Sequence, residues 1–196
     1  MAQEYTQDWF SHNIPVLTEI LVKEFSERKT RLLEIGVFEG RSTVWFLENV
    51  LTHRKSKLTW IDSFTPMEEH KDIDMHLVRR MFHANTREFG YKLTGFIGSS
   101  KHELRSIYPS KFDIIYIDGS HDPESVLFDA VLSWPLLTIG GLMGFDDYEW
   151  PMYKDEPTKH PKTAIDAFLN VMQGKYELIH KDYQVWIKRI DATLLM

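Results

Sequence analysis

The run Leu32-Leu33-Glu34-Ile35-Gly36-Val37-Phe38-Glu39-Gly40-Arg41-Ser42 constrains the fold more than any other stretch of the chain. An apolar segment of strand length breaks at Gly36 and Gly40, and a helical pattern then begins. Glycines at such a turn let backbone N–H groups approach a ligand, and the helix start that follows favours negative charge. In a parallel α/β sheet, a turn of this kind at the carboxyl end of the first strand binds a nucleotide-type cofactor. The glycine spacing narrows the class further. Dinucleotide folds use G-x-G-x-x-G, and the middle glycine is absent here, which disfavours a nicotinamide oxidoreductase.

The rest of the chain agrees with a packed α/β protein. Its 196 residues, 43% hydrophobic and 13% aromatic, suffice for one domain with a sizeable core. Cysteine is absent, so any metal is left to oxygen or imidazole ligands, and the composition fits a reducing compartment. The first residues lack the basic and apolar regions of a signal peptide, and no apolar run is long enough to span a bilayer. A cytoplasmic protein with no membrane partner is therefore expected. Net charge is −6, and the one dense basic run, His53-Arg54-Lys55-Ser56-Lys57, reads as a solvated loop. That balance favours a small-molecule partner over a nucleic acid, and it leaves a homo-oligomer open.

Periodicity places strands at 31–36, 57–64, 92–98, 112–118, 142–147, 176–180 and 184–190. Helices are expected from Asn13, as an N-cap, through Phe25, and over 42–51, 101–108, 123–133 and 163–172, the fourth capped by Asp122. Gly140-Gly141 should turn into the fifth strand. Residues 67–89 read as a long polar and helical stretch, and 148–161 as a long loop. His70, His76 and His83 fit a solvated face of the first of these better than a zinc site. The fold expected is one α/β domain, a Rossmann-like, doubly wound, mostly parallel seven-stranded sheet with a C-terminal antiparallel hairpin. Its first 30 residues form a helical segment covering the site.

Carboxylates fall at the ends of four of these strands: Glu34, Asp62, Asp118 and the pair Asp146-Asp147. Ligands of open α/β sheets bind beyond those ends. Asp62, 22 residues after Gly40, can accept the two ribose hydroxyls of an adenosine. Asp118, Asp146 and Asp147 form a hard-oxygen set suited to Mg²⁺ or a similar divalent cation, which would relieve their mutual repulsion. A structural role at the strand ends is the alternative. His121, three residues after Asp118, has the titration range of a general base. Ser120-His121-Asp122 is not a catalytic triad, because adjacent residues cannot form the required chain of hydrogen bonds.

Taken together, Glu34-Ile35-Gly36 with Glu39-Gly40-Arg41-Ser42, Ile61-Asp62-Ser63, Gly98-Ser99-Ser100, Tyr116-Ile117-Asp118-Gly119-Ser120-His121, Gly140-Gly141 and Phe145-Asp146-Asp147-Tyr148 resemble the motifs of class I S-adenosylmethionine (SAM) methyltransferases. The resemblance is to the branch of small-molecule O-methyltransferases that includes the cephalosporin and macrolide-sugar enzymes. It implies that Glu34, Gly36, Glu39, Gly40 and Ser42 line the methionine half of SAM. Asp62 and Ser63 would lie at the ribose, Ser99 and Ser100 near the adenine, and Asp118 on the cofactor side as well. It further implies metal ligation by Asp118, Asp146 and Asp147, and catalysis by His121 with Asp118. Many relatives carry Asp at the position of Ser99. The implied activity is methyl transfer from SAM to a hydroxyl of a small molecule, a sugar or polyol-like metabolite, assisted by a divalent metal. A metal-independent methyltransferase and a non-catalytic SAM-binding module are the competing readings.

Overall fold

A computed structural model describes residues 3–67 and 70–190. Its strands are β1 (Arg31–Ile35), β2 (Lys57–Asp62), β3 (Leu93–Ile97), β4 (Phe112–Ile117), β5 (Leu137–Phe145), β6 (Tyr176–Lys181) and β7 (Val185–Arg189). They form one seven-stranded sheet in the order β3-β2-β1-β4-β5-β7-β6, with β7 antiparallel to both β5 and β6. Helices alternate with the parallel strands, so the architecture is the Rossmann-like α/β sheet with a terminal hairpin that the sequence indicates. The chain divides between Ser99 and Ser100 into two compact units. Among the described residues, no helix is long and apolar enough to cross a membrane.

In the first unit, a 3-10 turn (Ser11–Asn13) leads into α1 (Ile14–Leu17), a π-helical turn (Thr18–Val22) and α2 (Lys23–Phe25). Leu17, Leu21 and Phe25 are buried, as their helical spacing predicts. Asn13 does not cap this helix. The helical backbone already begins at Ser11, and Asn13 is buried without a capping hydrogen bond from its side chain. β1 and β2 pair in parallel, with Glu34 opposite Trp60 and Ile35 opposite Ile61. This register continues one residue further: Gly36 N–H donates to the Ile61 carbonyl at 2.9 Å, which sets the glycine turn beside Asp62.

α3 (Arg41–Trp45) leaves that turn and runs into a π-helical turn (Phe46–Val50). The long connection before β3 folds as α4 (Met75–Asn85), with Asp74 accepting from the N–H groups of His76 and Leu77 as its N-cap. His70 departs from the expected solvated face. It is buried, with its ring stacked on Trp9 at 5.3 Å and 5.7 Å from Phe38. His76 and His83 are exposed.

In the second unit, β4 and β5 pair in parallel with Ile117 opposite Phe145. Asp146 N–H donates to the Ile117 carbonyl at 3.0 Å, so the residues that follow the two strands, Asp118 and Asp146, lie side by side. The helices are α5 (Ser100–Ser106), α6 (Pro123–Ser133) and α7 (Pro161–Val171). Asp122 caps α6 as expected, accepting from Ser125 N–H at 3.0 Å. α7 starts earlier than its apolar pattern suggests, because the His160 ring accepts from Lys162 N–H and acts as its cap.

β5 also begins earlier, at Leu137, and Gly140-Gly141 lie inside it rather than before it. Gly140 has φ 81° and the β4–β5 register slips between Phe112 and Ile114, a bulge that the apolar pattern reads as a strand boundary. Gly144 stands opposite Trp186 on β7. A Cβ at Gly144 would fall 2.4 Å from the indole, so the ring packs directly on the neighbouring backbone.

Candidate active site

The first unit builds a turn whose geometry is held by one carboxylate. Gly36, Phe38 and Gly40 all take positive φ, at 83°, 45° and 84°. Asp62 Oδ2 accepts from Val37 N–H at 2.8 Å and Phe38 N–H at 3.2 Å, while its Oδ1 accepts from Phe64 N–H at 2.7 Å. Asp62 thus ties the turn to the end of β2. At Gly40 the space is closed as well as the φ: a Cβ would meet the Phe82 ring at 2.9 Å.

Glu34 lies beneath this turn rather than on its surface. Its carboxylate is fully buried and accepts from the hydroxyls of Ser42 and, at 2.7 Å, Thr43. Burial pushes its pKa up to about 7, against the lowering effect of those two donors and with a further rise from the Asp62 charge. Ser42 is buried with it. Glu39 is also turned inward, accepting from Thr6 N–H at 2.7 Å and from the Thr6 hydroxyl at 2.6 Å. Ser63 is exposed and shares a hydrogen bond with Thr65, and Ser99 is exposed. Ser100 belongs to the second unit, where its hydroxyl bonds the buried Asp129 on α6.

The second unit gathers Asp118, Asp146 and Asp147, with one carboxylate oxygen of each within 4.8 Å of the others. His121 joins them, its Nε2 3.0 Å from Asp147 Oδ2 and its ring 4.2 Å from that of Trp150. The Tyr183 hydroxyl donates to Asp147 Oδ1 at 2.8 Å. Asp147 takes a left-handed backbone, φ 61°, and its N–H donates to Asp146 Oδ1 at 2.9 Å. Asp146 is buried, and burial with the neighbouring Asp147 charge raises its pKa to about 7.

A chain of buried groups holds Asp146 in place. Trp186 Nε1–H donates to Gln184 Oε1 at 3.0 Å, Gln184 Nε2–H to the Tyr116 oxygen at 3.0 Å, and the Tyr116 hydroxyl to Asp146 Oδ2. An indole can only donate, so the direction of every bond in the chain follows from its first member. The sequence patterns bring Asp118, His121, Asp146 and Asp147 together, but they miss Tyr116, Tyr183, Gln184 and Trp186. Tyr116 is hidden in an apolar run, and the others lie in a hairpin whose register no local pattern announces. Three carboxylates with hard oxygen donors at this separation fit a divalent cation.

A glycine turn after β1 bound by an acid at the end of β2, with acids after β4 and β5 on a sheet of this order, define the class I methyltransferase fold. The chain belongs to a methyltransferase-domain family, whose profile matches residues 33–148. It is a SAM-dependent methyltransferase. An uncharacterised protein of Acanthamoeba polyphaga mimivirus is 25% identical over 165 residues, covering 82% of this chain and 69% of that protein. Among solved structures, a caffeoyl-CoA O-methyltransferase candidate from Staphylococcus aureus has a TM-score of 0.67 at 16% identity, over 94% of this chain and 86% of that one. MycE of the mycinamycin biosynthetic pathway, solved with Mg, S-adenosylhomocysteine (SAH) and mycinamycin VI, has a TM-score of 0.65 at 14% identity, over 95% of this chain. The chain spans 50% of that protein's length. At these identities the structural likenesses establish the fold.

Proposed function

We propose that the enzyme methylates a hydroxyl of a small molecule, with a divalent cation held by Asp118, Asp146 and Asp147 and with His121 as the general base. The observation that carries this reading is the convergence of three carboxylates with His121 at 3.0 Å from one of them. SAM supplies an activated methyl group, whose bond to sulfur breaks as the bond to oxygen forms, leaving SAH. A divalent cation would polarise the acceptor hydroxyl and offset the charge of the three acids.

The chain's own residues do the rest. Asp147 orients the His121 ring through Nε2, and Tyr183 orients Asp147 in turn. The hydroxyl proton passes to His121. In the first unit, Asp62 fixes the glycine turn and would accept from the cofactor ribose, with the exposed hydroxyls of Ser63 and Ser99 as further donors to the cofactor. Glu34, Glu39 and Ser42 support the turn from within instead of lining the cofactor, and Ser100 supports α6.

The test is SAH release on a panel of hydroxylated small molecules, run with the EDTA-treated protein and again with Mg²⁺ added. Turnover that needs Mg²⁺ and is lost in His121→Ala supports the reading; turnover indifferent to EDTA removes the metal from it. A second reading draws on the same contacts. Both oxygens of Asp146 accept internal hydrogen bonds, from Tyr116 and from Asp147 N–H at 2.9 Å, and both oxygens of Asp147 have partners in Tyr183 and His121. In that case the acids form a structural frame around His121, and methyl transfer proceeds without metal.

A further inference from the structure

The N-terminal segment, residues 4–9, is fastened to the cofactor turn by side chains of the turn itself and of α4. Glu39, buried in the middle of the turn, gives both carboxylate oxygens to Thr6, one to its N–H and one to its hydroxyl. Asn85, at the end of α4, imitates a strand partner for Glu4: Oδ1 accepts from Glu4 N–H at 2.9 Å and Nδ2 donates to the Glu4 carbonyl at 2.8 Å. The same Nδ2 donates to the Glu39 carbonyl at 2.9 Å, so one carboxamide joins the segment to the turn.

Arg41, the residue after Gly40, lies 4.3 Å above the Tyr5 ring and 3.6 Å from Asp8. Trp9 rests on Phe38 at 5.0 Å, and Phe38 donates its N–H to Asp62. Outward, the segment has little to hold it. Residues 6–9 are exposed and Trp9 keeps half its surface in water. A segment held by a few polar contacts and little buried apolar area opens at low cost.

We propose that Glu39 and Asn85 are positioning residues for SAM, acting through residues 4–9, which dock as a strap on the cofactor turn and whose docking and cofactor occupancy favour each other. The strap contacts Phe38, Glu39 and Arg41, within and just after the glycine turn on which the proposed cofactor site rests. Whatever fixes the positive φ values of that turn pre-organises it for the other ligand, and the coupling is reciprocal. Releasing the strap lowers the fraction of molecules with a competent turn and raises the apparent Kd in proportion.

The experiment is SAH titration by calorimetry on the full chain and on Thr6→Ala, Glu39→Gln, Asn85→Ala and the Thr6→Ala/Glu39→Gln double variant. Amide hydrogen exchange of residues 3–10 is followed with and without SAH. Thr6 is exposed, so its truncation leaves the core untouched and keeps the test open even where a Glu39 or Asn85 variant folds poorly. SAH should slow exchange across residues 3–10 in the wild type, and each single variant should raise Kd about tenfold, the weight of one charge-assisted or paired hydrogen bond. The double variant should bind no worse than Glu39→Gln alone, because both act through one contact. Wild-type SAH binding with unchanged exchange in the strap, or additive losses in the double variant, would overturn the coupling alone. Absence of SAH binding to the wild type would overturn the cofactor reading and the coupling with it.

Discussion

Glu34→Gln separates support of the cofactor turn from contact with the cofactor. The folded carboxyl has a pKa of about 7 against an ordinary value of 4.5, because it is buried against only two hydroxyl donors. A raised carboxyl pKa contributes stability that is fully present below the unfolded value and is lost as pH rises through the folded one. The rise from 4.5 to about 7 corresponds to about 3 kcal/mol, of which about 2.5 kcal/mol falls between pH 5 and pH 8. Glutamine does not titrate, and the hydroxyls of Ser42 and Thr43 can rotate to serve its amide. Urea denaturation of both proteins at pH 5 and pH 8 should therefore show the variant gaining about 2.5 kcal/mol on the wild type across that interval. SAH affinity should stay within about threefold, because the carboxylate faces inward and the variant weakens at most one hydrogen bond. Parallel stability profiles would refute the buried, proton-binding assignment. A loss of SAH binding far beyond threefold would return Glu34 to the cofactor surface.

Asp129→Asn should behave in the same sense in the second unit. Burial raises its carboxyl from 3.8 to about 7, with Ser100 as its one hydroxyl donor and Oδ1 without a partner, so the variant should gain up to about 4 kcal/mol on the wild type between pH 4 and pH 8 by denaturant titration. Asp62→Asn should raise the SAH Kd at least about tenfold by calorimetry, since an amide cannot accept from three backbone N–H groups and a ribose together. Gly144→Ala should cost about 1–3 kcal/mol and lower the Tm, because the new Cβ is driven into the Trp186 ring. A wild-type Tm would mean that the indole has room to move.

What the sequence reveals here and what it conceals have one physical source. In a parallel pair, the residue that follows one strand comes beside the residue that follows its neighbour, so an acid at an apolar strand's end can be placed without coordinates. That is how Asp62 meets the glycine turn and Asp118 meets Asp146. The partners of a carboxylate obey no such rule. Glu39 meets Thr6 across 33 residues and Tyr116 meets Gln184 across 68. Neither pair is marked by local spacing, so nothing in the motif announces that Glu34 and Glu39 are buried against donors of the chain itself. The fifth strand and His70 mislead for a related reason. A diglycine reads as a turn whether it ends a strand or kinks one, and a histidine among charged residues reads as solvated until Trp9 and Phe38 close over it.

The same distinction bears on the acids of the second unit. If carboxylates there served only to end strands, nothing would require the buried Tyr116, Gln184 and Trp186 to be assembled behind one of them. Polar groups taken out of water cost stability unless every one finds a partner, and apolar side chains would fill the same volume at less risk. The chain Trp186–Gln184–Tyr116 meets that condition only because it ends on an acceptor, and Asp146 is that acceptor. The C-terminal hairpin therefore does more than complete the sheet: its Gln184 and Trp186 hold Tyr116 of β4, which donates to Asp146, while Tyr183, from its turn, donates to Asp147. A hairpin whose turn and last strand help to aim two carboxylates beside a histidine supports the proposed placement of the acceptor chemistry there.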